Sequence, residues 1–158
     1  MRYFSTRDKK LDFSFTEIFS RGLAPDGGLF IPSDFKKYTN NELKNLQNLS
    51  YVDLATEIIS NFCSGDLKKE KLKALVSKAY GNFNTKEVVE IKKVGDIHLL
   101  ELYHGPTLAF KDIAMQVIGN LYDELNIADE KKVNIVVATS GDTGSAAISA
   151  LNDKKNIN

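Results

Sequence analysis

Residues 97–112 read Ile97-His98-Leu99-Leu100-Glu101-Leu102-Tyr103-His104-Gly105-Pro106-Thr107-Leu108-Ala109-Phe110-Lys111-Asp112. The first seven have the apolar and aromatic character of a strand, and Gly105-Pro106 marks a turn. Beyond the turn, Ile113, Ala114, Val117, Ile118, Leu121, Tyr122 and Leu125 recur at helical spacing, as one buried face of an amphipathic helix. Lys111 therefore stands at the junction of a loop and a helix. Most lysines are solvated surface groups. Here Ala109 and Phe110 precede the lysine and an apolar helix face follows it. A lysine amine desolvated in such a place can lose its proton near neutral pH and attack a carbonyl.

Downstream, Val133, Ile135, Val136 and Val137 form a nearly continuous apolar run. This predicts a strand over 133–138, buried on both faces. Next comes Ala138-Thr139-Ser140-Gly141-Asp142-Thr143-Gly144-Ser145-Ala146-Ala147, a small polar loop entering a helix. Free N–H groups at a helix start, joined by the hydroxyls of Thr139, Ser140 and Thr143, suit an oxyanion. Gly141 and Gly144 let the backbone approach a ligand closely. The plainer alternative is a helix capped by Ser140 or Asp142. A nucleotide-phosphate loop does not fit, because the glycines lack the required Lys-Ser/Thr pair after them.

Strand, helix, strand, helix is the order of a parallel α/β sheet. If strands 97–103 and 133–138 run parallel, both loops leave at the carboxyl edge of the sheet, where open α/β folds bind ligands. Upstream, 88–94 and 97–103 read as two strands around Gly95-Asp96, a hairpin turn pair. Residues 14–80 read as mainly helical. Ser14 with Glu17 forms a capping-box pattern, and Gly22 is a stop. Short strands are expected at 1–5 and 29–31, and a helix at 40–48. Ser50 starts a helix with a stripe of Tyr51, Leu54, Ala55, Ile58, Ile59 and Phe62. Asp66 can cap a further helix to about residue 79, which Gly81 ends. The expected class is α/β: a helical N-terminal region with short strands over 1–84, then the start of a parallel sheet over 85–158.

With 158 residues the chain suits a single folded domain with a real core. Lys plus Arg and Asp plus Glu number 21 each, which gives no support for binding nucleic acid or an anionic membrane. No apolar run reaches membrane-spanning length, and the N-terminus has no apolar signal core. Cys63 has no second cysteine to pair with and reads as a small core residue, so a reducing cytoplasm is expected. No metal-ligand set is assigned. His104 reads as a structural histidine ending a strand, and His98 has no evident partner.

The run HGPTLAFKD, residues 104–112, resembles the cofactor-lysine motif of the threonine synthase family. The loop at 138–147 resembles that family's loop for the substrate carboxylate. Near the start, Tyr3-Phe4-Ser5-Thr6-Arg7 and Gly22-Leu23-Ala24-Pro25-Asp26-Gly27-Gly28-Leu29-Phe30-Ile31-Pro32 resemble the N-terminal segment of its bacterial and fungal branch. The three motifs come in the expected order and span nearly the whole chain.

The resemblance implies the tryptophan-synthase-β-like fold and pyridoxal 5'-phosphate as cofactor, held as an aldimine on Lys111. It implies O-phosphohomoserine and water as substrates, with threonine and phosphate as products. Thr139, Ser140, Gly141 and Thr143 would hold the substrate carboxylate. Asp142 occupies a position that is often asparagine in related enzymes, where it meets the cofactor's phenolic oxygen; an aspartate there calls for a shared proton. Family members are several hundred residues long, so the chain is expected to be an N-terminal piece, inactive alone and prone to self-association. The alternatives are a non-catalytic isolated domain, or a related phospho-lyase or dehydratase using the same cofactor.

Overall fold

In the computed structural model, residues 1–125, 132–152, 154–155 and 157–158 are described. The chain divides into two compact units, Met1–Lys73 and Ala74–Asn158.

In the first unit, β1 (Tyr3–Ser5) lies between β2 (Asp12–Phe13) and β3 (Phe30–Pro32), antiparallel to both. Alternation along β1 buries Tyr3 and Ser5 on one side. The Tyr3 hydroxyl donates to the Phe62 carbonyl at 2.5 Å, and burial pushes that phenol up to about 12. Pro32 ends an edge strand, where its missing N–H does no harm. The helices expected from Ser14 and Ser50 start at those caps, and the helix expected at 40–48 gains a cap at Thr39. Ser14 caps α1 (Phe15–Arg21) with Glu17, and Thr39 caps α2 (Asn40–Leu46) with Glu42; both are complete capping boxes. Gly22 closes α1 with φ 73°, a conformation that favours glycine. Ser50 caps α3 (Tyr51–Cys63).

Two expectations need correction in this unit. The side of α3 that is fully buried carries Thr56 and Cys63, and the apolar stripe beside it is half-buried, with Ile58 exposed. Thr56 tolerates burial because its hydroxyl donates to the Val52 carbonyl at 2.7 Å. Asp66 does not cap the next helix, α4 (Lys69–Tyr80); its carboxylate accepts from the Thr16 amide, in the first turn of α1. Cys63 is a core residue, as expected, and burial raises its thiol.

The second unit begins within α4, and Gly81 ends that helix with its amide on the Ser77 carbonyl. Strands β4 (Glu90–Val94) and β5 (Ile97–Glu101) form the expected hairpin. Gly95 takes φ 62° at the first central position of its two-residue turn. Then follow α5 (Asp112–Leu125) and α6 (Asp142–Leu151), which pack together. Gly119 lies against the Ala150 carbonyl so closely that any Cβ would overlap it. The buried face of α5 carries Val117, Asn120 and Leu121, whereas Ala114, expected in the core, is exposed. Asn120 is buried because it is satisfied. Its Nδ2 donates to the Leu75 carbonyl at 3.1 Å and its Oδ1 accepts from Lys154 Nζ at 2.6 Å.

The expected strand at 133–138 is only begun. Val133 forms a parallel bridge with Ile157, and the Ile135 amide donates to the Asn158 carbonyl at 3.0 Å. Beyond that the backbone has no ladder among the described residues, and Val136 is 94% exposed. Burial on both faces fails because, among the described residues, no layer covers the side on which Val136 stands. Among the described residues strand β5 pairs with β4 alone, and no parallel pairing joins 97–103 to 133–138. No helix of the described residues is long and apolar enough to cross a membrane.

Gly119→Ala should lower stability by about 1–3 kcal/mol, as overpacking does, read as a shift of the denaturant midpoint. The Glu17 and Glu42 carboxyls are held below their ordinary 4.5, chiefly by the Ser14 and Thr39 amides. A depressed folded value means that the stabilisation is complete above 4.5 and fades as pH falls through the lower value. An NMR titration of the Ser14 and Thr39 amides should therefore show midpoints below 4.5, with Ser14→Ala returning Glu17 toward it.

Candidate active site at the starts of helices 5 and 6

The chain enters α5 through two tight turns. The Leu108 amide donates to the Gly105 carbonyl at 3.1 Å, and the Asp112 amide to the Ala109 carbonyl at 3.0 Å. Lys111 immediately precedes α5, and its carbonyl accepts from the Met115 amide at 2.9 Å. Its side chain is half-buried, with Nζ 4.2 Å from the centre of the Phe110 ring. It borders a shallow apolar concavity made by Leu102, Phe110, Ile113, Ala114 and Met115. Among the described residues no carboxylate pairs with it. The amine thus lies beside apolar surface.

Asp112, the first residue of α5, is 0% exposed. Its two carboxylate oxygens accept from the Thr107 amide and the Thr107 hydroxyl, each at 2.8 Å. Gly105 packs directly against it, leaving no room for a Cβ. The sequence shows an Asp in the first turn of a helix, where negative charge is welcome, but not that this one is buried. The only signal in the sequence is Thr107, five residues ahead.

The second candidate element, 139–143, forms the entry to α6, and Thr139, Ser140, Gly141, Asp142 and Thr143 are all exposed. Neither Ser140 nor Asp142 is the N-cap; Gly141 is, with φ 154° and no side-chain cap of its own. Thr139 takes over that task from outside the helix. Its Oγ1 accepts from the Gly141 amide at 3.3 Å and the Gly144 amide at 3.2 Å. Gly144 fits against the Thr139 methyl only because it has no Cβ. The Asp142 and Thr143 amides lie in the first turn, where no helical carbonyl reaches them, so they point out as donors.

The two elements lie toward the same end of the helix pair. Gln116 bonds Ser149 at 3.3 Å, Gly119 lies on Ala150, and Lys154 bonds Asn120. These pairs advance in the same order along both segments, so the helices run in the same sense and both starts lie at the same end. The positive ends of two helix dipoles therefore share that end.

His104 is in a polar cluster. Its Nε2 is 3.0 Å from Glu101 Oε2, and its ring centre lies 4.7 Å from that of Tyr103, the two rings tilted by 38°. Lys92 sits 3.0 Å from the same Glu101 oxygen, and its hydrogen bond is the main cause that holds Glu101 below the ordinary carboxylate value. Glu90, Glu101 and His104 bring ligand-type atoms within 4.8 Å of one another, with the Lys92 ammonium already supplying a positive charge there. This grouping across β4 and β5 is invisible in the sequence, since it depends on hairpin register.

A family model described as threonine synthase N terminus matches residues 2–80. The chain is 40% identical to threonine synthase of Pseudomonas aeruginosa over 94% of its own length and 32% of that protein's. It is 38% identical to threonine synthase-like 2 of Xenopus laevis, over 99% of itself and 35% of the relative. Among solved structures, the PLP-bound threonine synthase of Brucella melitensis superposes with TM-score 0.95 at 36% identity, covering 100% of this chain and 34% of that one. Yeast threonine synthase gives 0.93 at 39% identity, over 99% and 34% of the two chains. The mixed architecture of helices and short strands is thus that of a region of pyridoxal-phosphate enzymes of this shape, and the chain belongs to the threonine synthase family. It spans about a third of the length of the curated relatives it matches.

Thr139→Val should cost about 1 kcal/mol of stability, the usual loss for a removed helix cap, and Thr139→Ser should keep most of it. Thermal melts of the two variants check this.

Proposed function

We propose that this chain contributes the cofactor lysine and the substrate-carboxylate loop of a threonine synthase, which converts O-phospho-L-homoserine and water to L-threonine and phosphate. The observation that carries the reading is the placement of Lys111. A half-buried amine free of any carboxylate partner among the described residues stands at the same end of a helix pair as the unused first-turn amides of α6. Such an amine fits the aldehyde of pyridoxal 5'-phosphate, and the family match supports it. When bound, the cofactor supplies an electron sink for charge at the substrate's α-carbon.

Lys111 is the attachment residue and the group that moves protons between substrate carbons. Thr139, Ser140, Gly141 and Thr143 receive the substrate carboxylate, through hydroxyls and backbone N–H groups at the start of α6, with the Gly141 amide turning to it from Thr139 Oγ1. Asp142 shares a proton with the cofactor's phenolic oxygen. An unshifted pH titration of the bound cofactor in Asp142→Asn would remove that role. The division of labour places the N-terminal threonine-synthase region at 1–84 and the start of the cofactor domain at 85–158. The second reading is a related phospho-lyase on another phosphorylated amino compound, using the same cofactor. Phosphate release from O-phosphohomoserine against other phosphoamines distinguishes the two.

Borohydride reduction with pyridoxal phosphate should give a single adduct at Lys111, absent in Lys111→Ala. Labelling scattered over surface lysines would overturn the assignment. The exposed apolar residues Ile91, Ile97, Leu100, Val136 and Ile148 also lead us to propose that the isolated chain self-associates. Light scattering over a concentration series should show mass rising above the monomer's.

A further inference from the structure

Between Thr107 and Asp112 the chain closes into a ring through the Asp112 side chain. At its closure, the Thr107 amide and hydroxyl donate to the two Asp112 oxygens, 2.8 Å each. Gly105 fills the remaining side, and Ala109 is buried within the loop. Inside this ring Leu108 is held at φ 61°, which L-residues with large side chains rarely adopt. Strain of that kind persists only where the surroundings over-determine it. A fully buried carboxylate is also a poor device for stability alone, because desolvation opposes it. What the ring delimits is Lys111, whose own backbone is the last link before the carboxylate and whose Nζ is set over Phe110.

We infer that Asp112, acting through Thr107, is the positioning residue for Lys111. The ring fixes the backbone on the N-terminal side of the lysine and α5 fixes it on the other. The amine then explores a narrow arc beside the apolar surface of Leu102, Ile113 and Met115. This deepens the proposed cofactor role of Lys111 and rests on it for its purpose, but the positioning itself is a property of the chain without cofactor.

The experiment measures two things on the full 158-residue chain, with no cofactor present. Trace labelling with acetic anhydride gives the rate of Lys111 relative to the mean of the other lysines. Amide hydrogen exchange follows Thr107 and the interior of α5. In Asp112→Asn the Thr107 amide should exchange about tenfold to a hundredfold faster, as for the loss of a hydrogen bond to a charged group; in Thr107→Val, which loses only the hydroxyl bond, exchange at residue 107 should rise less. The α5 interior should stay protected, while the Lys111 ratio moves severalfold toward that of the other lysines, as a merely structural role would not require. Thr107→Ser should restore the wild-type ratio. A wild-type Lys111 no different from the other lysines, or a ratio unchanged in both variants with α5 protected, overturns the inference. If Asp112→Asn does not fold, Thr107→Val, which keeps the amide donor, decides alone. Borohydride trapping on the same proteins separates the two ideas: no wild-type adduct removes the cofactor assignment, and the anhydride ratios still judge Asp112.

Discussion

The approach of Gly119 to the Ala150 carbonyl is the constraint on which the candidate site depends. Two helices can lie that close only where one of them offers no side chain. Because α5 and α6 touch there and run in the same sense, the loops before them leave toward the same end. The site therefore needs no parallel pairing between β5 and the 133–138 segment to bring Lys111 and the 139–143 loop to one end. The sequence reaches the same end by way of a sheet edge; the structure reaches it by way of a helix contact. Asn120 reinforces the arrangement, since it links α5 to the Leu75 carbonyl on one side and Lys154 on the other.

Features that are local in the chain are legible in the sequence. The capping box at Ser14 and the stop at Gly22 are settled within four residues, so neighbours suffice to specify them. The same holds for the Gly95-Asp96 turn. What the sequence misplaces is decided by distant partners. The α3 stripe has the right spacing, yet the core chose Thr56 and Cys63, because a threonine can satisfy its hydroxyl within its own helix. Asp66 has the chemistry of a cap, and a different helix claimed it. An apolar run such as 133–138 says that a residue can be buried, not that something is present to bury it.

At the site the balance is similar. Lys111 and the hydroxyl-rich loop announce themselves by composition and by resemblance. The allocation of tasks within the loop does not. Ser140 and Asp142 have the chemistry of caps, while Thr139, outside the helix, does the capping and leaves two first-turn amides facing outward. Asp112 is the least visible of all, for an aspartate beside a lysine at a helix start ordinarily means solvent. Its importance arises from burial, which no spacing rule reports.

Leu108 bears on which amino-acid replacements the loop will accept. At φ 61° a leucine is tolerable, and glycine or asparagine would be at ease. Valine, isoleucine and threonine, with a branch at Cβ, meet the backbone there and are the worst choices. A single-base change from leucine to valine, which any substitution matrix scores as mild, would thus be among the harsher ones at this position. Drift at residue 108 should run toward small and polar residues, so hydrophobic similarity is the wrong measure of how far this loop can vary.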